Sequence, residues 1–369
     1  MAEKKLICTI IGLGLIGGSI AKSIRRYHPD ADIRGYNRSP ENLRLAIEDK
    51  VIDYAMQDVT DRIAESDYIF LCSPVGINVA NLQKMLPHLS KDCILTDVGS
   101  VKGDIHKEIE ALGLSDRFIG GHPMAGSEKT GYVHSSDTLL ENAYYILTPG
   151  SRLPEDRYEE FFQFIESLHA LPVRSDDKKH DYATAAISHV PHLIAAALVK
   201  LVEENDSPDQ FMKMIAAGGF KDITRIASSS PTMWEHICRS NQEQILVLLS
   251  KYINQLENLS KDISNKDFQK IYHLFETAGS YRNSLSDKAS GPIQKAFQLY
   301  LDVPDEAGAI AQVATILADH DISIKNIGIT HNREHSEGVL YIMFYDEKSL
   351  QSAIPVLTNG QNHYTIYNH

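Results

Sequence analysis

The sequence predicts three folded parts in series: an α/β doubly wound domain, an all-α domain, and a C-terminal α+β ferredoxin-like unit. Three observations predict this. Short apolar runs alternate with amphipathic helical patterns up to about residue 150, and a glycine-rich turn interrupts the first alternation. After Pro154 glycine becomes rare and long 3.6-residue periodicities take over. From about Ile293 the pattern returns to short alternating runs separated by two helical stretches. A chain of 369 residues leaves room for two or three domains at about 150 residues each.

The strands of the first domain are LICTII, DIRGYN, DYIFLC, DCILTDV, RFIGG and AYYILT. Helical segments between them imply parallel βαβ units, and the domain spans residues 1–150. The segments at 178–204 and 241–278 carry the helical domain, residues 151–280. The polar stretch GSYRNSLSDKASGP marks a linker, set at 281–295. Residues 296–369 then read βαββαβ, the ferredoxin-like split unit.

Composition excludes several classes. With 43% hydrophobic and 23% charged residues the chain is an ordinary globular protein, and no apolar run approaches the roughly 20 residues of a membrane span. The opening MAEKKLICTIIGLG has no cleavage site of a signal peptide. Cys8, Cys72, Cys93 and Cys238 have neither metal-ligand nor disulfide spacing, so reduced thiols in a cytoplasmic protein are expected. A net charge of −13 argues against a nucleic-acid partner, and any anionic ligand must meet a locally basic site.

The first strand runs into Gly12-Leu13-Gly14-Leu15-Ile16-Gly17 and a helix opens behind it. The first glycine permits a tight turn, the second lets a pyrophosphate approach the backbone, and the third allows close helix–strand packing. The helix N-terminus at Leu15 and Ile16 offers N–H donors to the anion, so a Rossmann-type dinucleotide site is expected. The acidic residue that grips the ribose of NAD is absent, and Asn37-Arg38-Ser39 ends the second strand. Asn37 can bond a ribose hydroxyl; Arg38 with Ser39 can hold a 2′-phosphate, or Arg38 is a solvated loop residue. NAD is the expected cofactor, with NADP as the alternative.

Ligands of such sheets sit at the carboxyl ends of strands. Ser73-Pro74 and Gly99-Ser100 occupy two such ends. Ser100 either bonds a substrate hydroxyl or caps a helix. In GGHPMAG the next strand delivers His122, held by Pro123 and relieved by Gly126, either as an acid/base or as a structural histidine. Further on, His189 and His192 lie three apart on a helix, with no acid or thiol nearby to complete a metal site. Arg225 follows a glycine-rich helix entry at Gly218 and either grips a carboxylate or makes a surface ion pair. Trp234 reads as a core or interface aromatic.

Taken together, GLGLIGGS, TDVGSVKG, GGHPMAGSEKTG, SHVPH, GGFKDITRIASSSPTMW and the terminal βαββαβ unit resemble bacterial prephenate dehydrogenase, in the form carrying a C-terminal ACT regulatory domain. The resemblance covers nearly the whole chain. It implies oxidation of the ring hydroxyl of prephenate with NAD⁺, loss of CO₂, and release of 4-hydroxyphenylpyruvate for tyrosine synthesis. It gives His122 the hydroxyl proton and Ser100 the orientation of that hydroxyl and the nicotinamide. Arg225 and His192 contact substrate, together with Ser127, Gly218 and Trp234, the last from a dimer partner. Glu128 and Asp222 become gate residues or partners of Arg225. The helical domain becomes a substrate and dimerisation domain of a homodimer. Tyrosine is the implied feedback inhibitor, bound in the ACT unit near Asp305, Ala307 and Gly308 and facing Asn326 and Ile327.

The nearest rival is an arogenate dehydrogenase of the same fold. Dehydrogenases of 2-hydroxyacids or imines put a lysine on the first long helix of the second domain, where this chain offers His189 and His192. A sensor without chemistry is disfavoured by His122, Ser100 and Arg225 standing together.

Overall fold

The computed structural model of the chain describes residues 5–126, 129–284, 297–303, 308–330, 338–358 and 364–367. Ser127, Glu128, Asp305, Ala307 and most of the expected linker lie outside them. The chain divides into two compact units, residues 1–281 and 282–369.

Unit 1 opens with β1 (Ile7–Ile11), α1 (Leu15–Tyr27), β2 (Asp32–Tyr36), α2 (Pro40–Glu48) and β3 (Tyr54–Ala55). It continues with β4 (Tyr68–Leu71), α3 (Val75–Met85), β5 (Ile94–Asp97), α4 (Gly103–Ala111), β6 (Phe118–Pro123) and β7 (Tyr144–Pro149). Then follow α5 (Glu155–Ser167) and β8 (Leu171–Arg174). The eight strands form one sheet in the order β3-β2-β1-β4-β5-β6-β7-β8, and its first six strands have the doubly wound dinucleotide-binding order. These six pair in parallel. Their apolar runs are buried on both faces: Ile10, Ile33, Phe70, Ile94 and Ile119 pack on one side, Ile11, Ile69, Leu71 and Leu95 on the other. Helices cover both, as parallel sheets require.

Two features differ from the sequence expectation. AYYILT runs antiparallel to β6, because among the described residues only a single 3₁₀ turn (Tyr132–His134) lies between them and no crossover helix returns the chain. The α/β domain also does not end at 150. β8 pairs in parallel with β7, and α5 buries Tyr158, Phe161, Phe164 and Ile165 in the core that holds Tyr68 and Phe70. A helical period without glycine places α5 in the helical domain by sequence, but its aromatic face belongs to the sheet.

The helical part therefore begins with α6 (Asp177–Thr184), whose N-cap Asp176 accepts from Lys179 N–H at 2.8 Å. One five-residue π turn (Ala185–His189) joins it to α7 (Val190–Asn205). The widened turn accommodates Pro191, which has no N–H to donate and would press on the carbonyl one turn back. This continuous helix, Asp177–Asn205, is long and apolar enough to cross a bilayer by length and composition. It nevertheless carries His180, Asp181 and His189 buried within unit 1, so it is built into the fold. Next come α8 (Phe211–Ile215), α9 (Gly218–Thr224), a 3₁₀ turn (Arg225–Ser228), α10 (Pro231–Ser240), α11 (Gln242–Ser264) and α12 (Phe268–Ser284). The expected linker start at 281 is helical, since α12 runs through Ser284.

Unit 2 contains β9 (Phe297–Val303), α13 (Ala309–Ala318), β10 (Ile324–Thr330), β11 (Gly338–Phe344), α14 (Glu347–Thr358) and β12 (Ile366–Tyr367). The sheet order β10-β11-β9-β12 with antiparallel pairing is the expected ferredoxin-like arrangement. Leu299, Leu301, Val313, Leu317, Leu340 and Ile342 form its core.

Candidate active site

The glycine turn fits a dinucleotide. Gly12 has φ +109°, which disfavours any side chain, and a Cβ on Gly17 would lie 2.0 Å from the Gly12 carbonyl oxygen. Gly14 caps α1 with no side-chain hydrogen bond, and the space where its Cβ would stand is open. The first N–H groups of α1, at Leu15 and Ile16, thus face room for an anion. Ser73 stands against the turn, its Oγ 2.9 Å from the position of a Gly12 Cβ, and Pro74 caps α3.

At the end of β2 the structure adds a role that the sequence does not show. Asn37 Oδ1 accepts from Leu13 N–H at 3.0 Å and its Nδ2 donates to Ser39 O at 3.1 Å, so Asn37 braces the glycine turn. A cavity of about 570 Å³ opens beside it, lined by Tyr36, Asn37, Arg38, Arg44 and Met56 among others. Arg38 is exposed, and among the described residues it has no ion-pair partner.

At the C-terminal end of β6, His122 is half-buried. Burial, aided by His180, Lys102 and His189, holds its imidazole well below the ordinary histidine value, so it is neutral at pH 7. Its Nδ1 lies 2.8 Å from His180 Nε2, and His180 Nδ1 lies 2.8 Å from Asp181 Oδ1. Asp181 also accepts the backbone N–H groups of Lys102 and Gly103, each at 2.8 Å. The N-terminus of α4 is therefore capped by Asp181 and not by Ser100, which removes the capping role considered for that serine. Ser100 is half-buried on the turn after β5.

Against Gly121, the residue before His122, lies a fully buried ion pair. Lys102 Nζ sits 2.6 and 2.5 Å from the two Asp97 oxygens and donates to Gly121 O at 2.7 Å. Asp97 in turn accepts Gly121 N–H at 3.2 Å and Gly99 N–H at 2.9 Å. Burial pulls the Lys102 ammonium below its ordinary value while Asp97 and Asp181 oppose that pull. The pair fixes the backbone on which His122 stands.

From the helical part, His192 donates Nδ1–H to Ser188 O at 2.8 Å and stacks on Trp234 with ring centres 4.2 Å apart. The Trp234 Nε1 is buried with no hydrogen-bond acceptor among the described residues. His189 is a core residue: Asn241 Nδ2 lies 3.1 Å from its Nδ1, and burial lowers it to about 4. No cluster of metal-ligating groups occurs among the described residues. The 3₁₀ turn that starts at Arg225 packs against α7, the helix of His192. Arg225 is exposed and makes no surface ion pair among the described residues; Asp222 is exposed and not paired with it. Gly218 opens α9.

The sequence reading missed His180, Asp181, Asp97 and Lys102. The last two bracket GSV within TDVGSVKG, and an acid and a lysine five apart across a glycine turn at a strand end was the available signal.

A dinucleotide turn on a parallel sheet, with a neutral histidine at the end of another strand of that sheet, defines a nicotinamide-dependent dehydrogenase. The chain matches the prephenate dehydrogenase nucleotide-binding domain over residues 20–173, the prephenate dehydrogenase dimerization domain over 176–277, and an ACT domain over 297–358. It is 35% identical over 369 residues to the prephenate dehydrogenase of Bacillus subtilis, covering 100% of both chains. It is 36% identical to that of Lactococcus lactis, covering 96% of this chain and 97% of the other. Among solved structures it resembles prephenate dehydrogenase from A. aeolicus in complex with hydroxyphenyl propionate and NAD⁺, with TM-score 0.72 and 31% identity over 78% of this chain and all of the other. Arogenate dehydrogenase from Synechocystis is similar, with TM-score 0.70 and 31% identity over 76% and 99%. The chain belongs to the prephenate dehydrogenase family, and it is an NAD-dependent oxidoreductase with a C-terminal ACT domain.

Proposed function

We propose that the chain converts prephenate to 4-hydroxyphenylpyruvate with His122 as the proton acceptor. The burial of His122, which keeps its imidazole neutral at the carboxyl end of a strand in the sheet that carries the cofactor turn, is the observation that carries this reading. NAD⁺, when bound, accepts the hydride from the ring carbon that bears the hydroxyl. His122 Nε2 takes the hydroxyl proton as the carbonyl forms. The ring carboxylate then leaves as CO₂, its bond electrons enter the ring, and the proton returns to the oxygen, now phenolic. Aromatisation drives the reaction, so the protein supplies orientation and charge placement. Ser100 orients the hydroxyl, while His192, stacked on Trp234, and Arg225 hold the substrate from the helical side. Ser127, Gly218, Glu128 and Asp222 complete this substrate set. Gly12, Gly14, Leu15, Ile16, Gly17, Asn37, Arg38, Ser73 and Pro74 make up the cofactor side. A limit near 175 between the first two domains is proposed in place of 150.

The test is the rise of NADH absorbance with prephenate, then with arogenate, and with NADP⁺ in parallel. Prephenate with NAD⁺ gives the highest kcat/KM; a higher value with arogenate assigns the rival substrate. In the same assay Arg225→Ala raises KM for prephenate by about 10- to 100-fold, the worth of a charge-assisted hydrogen bond, and an unchanged KM removes the carboxylate role.

The homodimer is proposed to form through the helical region. Ile215, Ile223, Leu246, Ile253, Phe268 and Phe275 expose apolar surface there, as a dimerization domain requires. A cytoplasmic setting agrees with four free cysteines. Tyrosine is the proposed inhibitor, bound in unit 2 where Gly308, at φ +101°, starts α13 and where β10 carries Asn326 and Ile327. By linkage tyrosine binds best to the less active state. Titrating tyrosine into the full chain in a calorimeter gives saturable heat and a matching loss of rate; no heat leaves the ACT unit without this ligand.

A further inference from the structure

We propose that His180 and Asp181 form a fixed two-residue chain behind His122 that sets which of its ring nitrogens is the base. This rests on the reading of His122 as proton acceptor.

The direction of every hydrogen bond follows from one end. The Asp181 carboxylate only accepts, and its two oxygens receive the N–H groups of Lys102 and Gly103 at the start of α4. His180 Nδ1, 2.8 Å from Oδ1, must therefore carry a proton. In neutral His180 the Nε2 atom is then the acceptor, and His122 Nδ1, 2.8 Å away, is the donor. That leaves the lone pair of His122 on Nε2, the nitrogen available to a substrate hydroxyl. The chain has no slack. Asn241, the residue that caps the N-terminus of α11, donates to Asp181 O at 2.8 Å, and Thr184 donates to His180 O at 3.0 Å. The backbone that carries His180 and Asp181 is thus held both from within α6 and by Asn241.

The consequence is chemical as well as geometric. Burial opposes a positive His122, but an imidazolium formed there donates through His180 toward a carboxylate held by two backbone N–H groups. The arrangement extends the logic by which an acid orients a single catalytic histidine, with one more ring interposed. His180 and Asp181 are positioning residues: they act through His122.

Four variants of the full chain test this by steady-state kinetics. His180→Ala lowers kcat by about 10²-fold with KM within about threefold, and His180→Gln, whose side-chain oxygen can accept from His122, restores most of it. Asp181→Asn also lowers kcat, because its amide can donate to His180 Nδ1 and reverse the chain. In protein labelled with ¹⁵N-histidine, the ring shifts of His122, assigned by its loss in His122→Asn, report an Nδ1–H tautomer that Asp181→Asn reverses. Unchanged kcat in His180→Ala, or an Nε2–H tautomer in the parent protein, overturns the proposal. A fall in kcat and thermal midpoint that Gln does not restore also overturns it, in favour of a merely structural histidine. Full activity in His122→Asn instead removes the underlying assignment of the base, and the tautomer measurement still stands apart from it.

Discussion

His122→Asn lowers kcat by about 10²–10⁴-fold and leaves KM for prephenate and for NAD⁺ within a few-fold, the usual share of a general base. Asparagine keeps a polar group of similar reach at the end of β6, so binding of the ring hydroxyl persists while proton transfer does not. The substitution also spares the fold. His122 makes one side-chain hydrogen bond among the described residues, to His180, and stands on a strand paired through Gly121 and Pro123 on either side of it. Residual turnover comes from orientation by Ser100 and Arg225 and from the cofactor turn, none of which the change touches. The measurement is initial-rate kinetics across both substrates, with far-ultraviolet circular dichroism as the control for folding. Turnover equal to that of the parent protein would remove His122 from the reaction.

The second large effect is on stability. Lys102→Met unfolds more easily than the parent by about 3–5 kcal/mol in denaturant titration, because Asp97 is left charged and buried without its partner. Both members of the pair are essentially inaccessible, at 0% and 1% side-chain exposure, so solvent cannot compensate. Adding Asp97→Asn to Lys102→Met recovers part of the loss. The neutral amide oxygen still accepts one of the two N–H groups, of Gly99 or Gly121, that the carboxylate binds through separate oxygens, and no charge remains. Activity does not return with stability, since the Lys102 bond to Gly121 O, one residue before His122, is gone in both variants. Equal stability of parent and single variant would show that the ammonium contributes nothing to the fold.

Local signals in the sequence were enough for the cofactor turn and for the alternation of strands and helices, because each depends on a few adjacent residues. The same is true of His122, which its proline and glycines mark. What stayed hidden is tertiary. The reversal of β7 depends on which partner a strand finds, and AYYILT looks the same in either direction. α5 and α7 share a helical period, and only the sheet shows that Phe161 and Phe164 belong beneath Phe70. His180-Asp181 sits in KKHDY, which reads as a solvated helix face until the fold brings α4 against it. Asn37 shows the opposite case: the residue was singled out, but its bond to Leu13 is a bracing contact that spacing does not reveal.

The π turn also sets an angular phase. His180 and Asp181 lie before it and His192 after it, on one continuous helix. Each residue of an α-helix turns the chain by about 100°. Removing a single residue from Ala185–His189 would close the wide turn and swing everything downstream by about that angle, carrying His192 and the face under Trp234 away from their present bearing. The spacing between the two histidine groups is thus a dial setting, and a one-residue deletion there would disarrange substrate contacts while leaving His180, Asp181 and the cofactor turn in place.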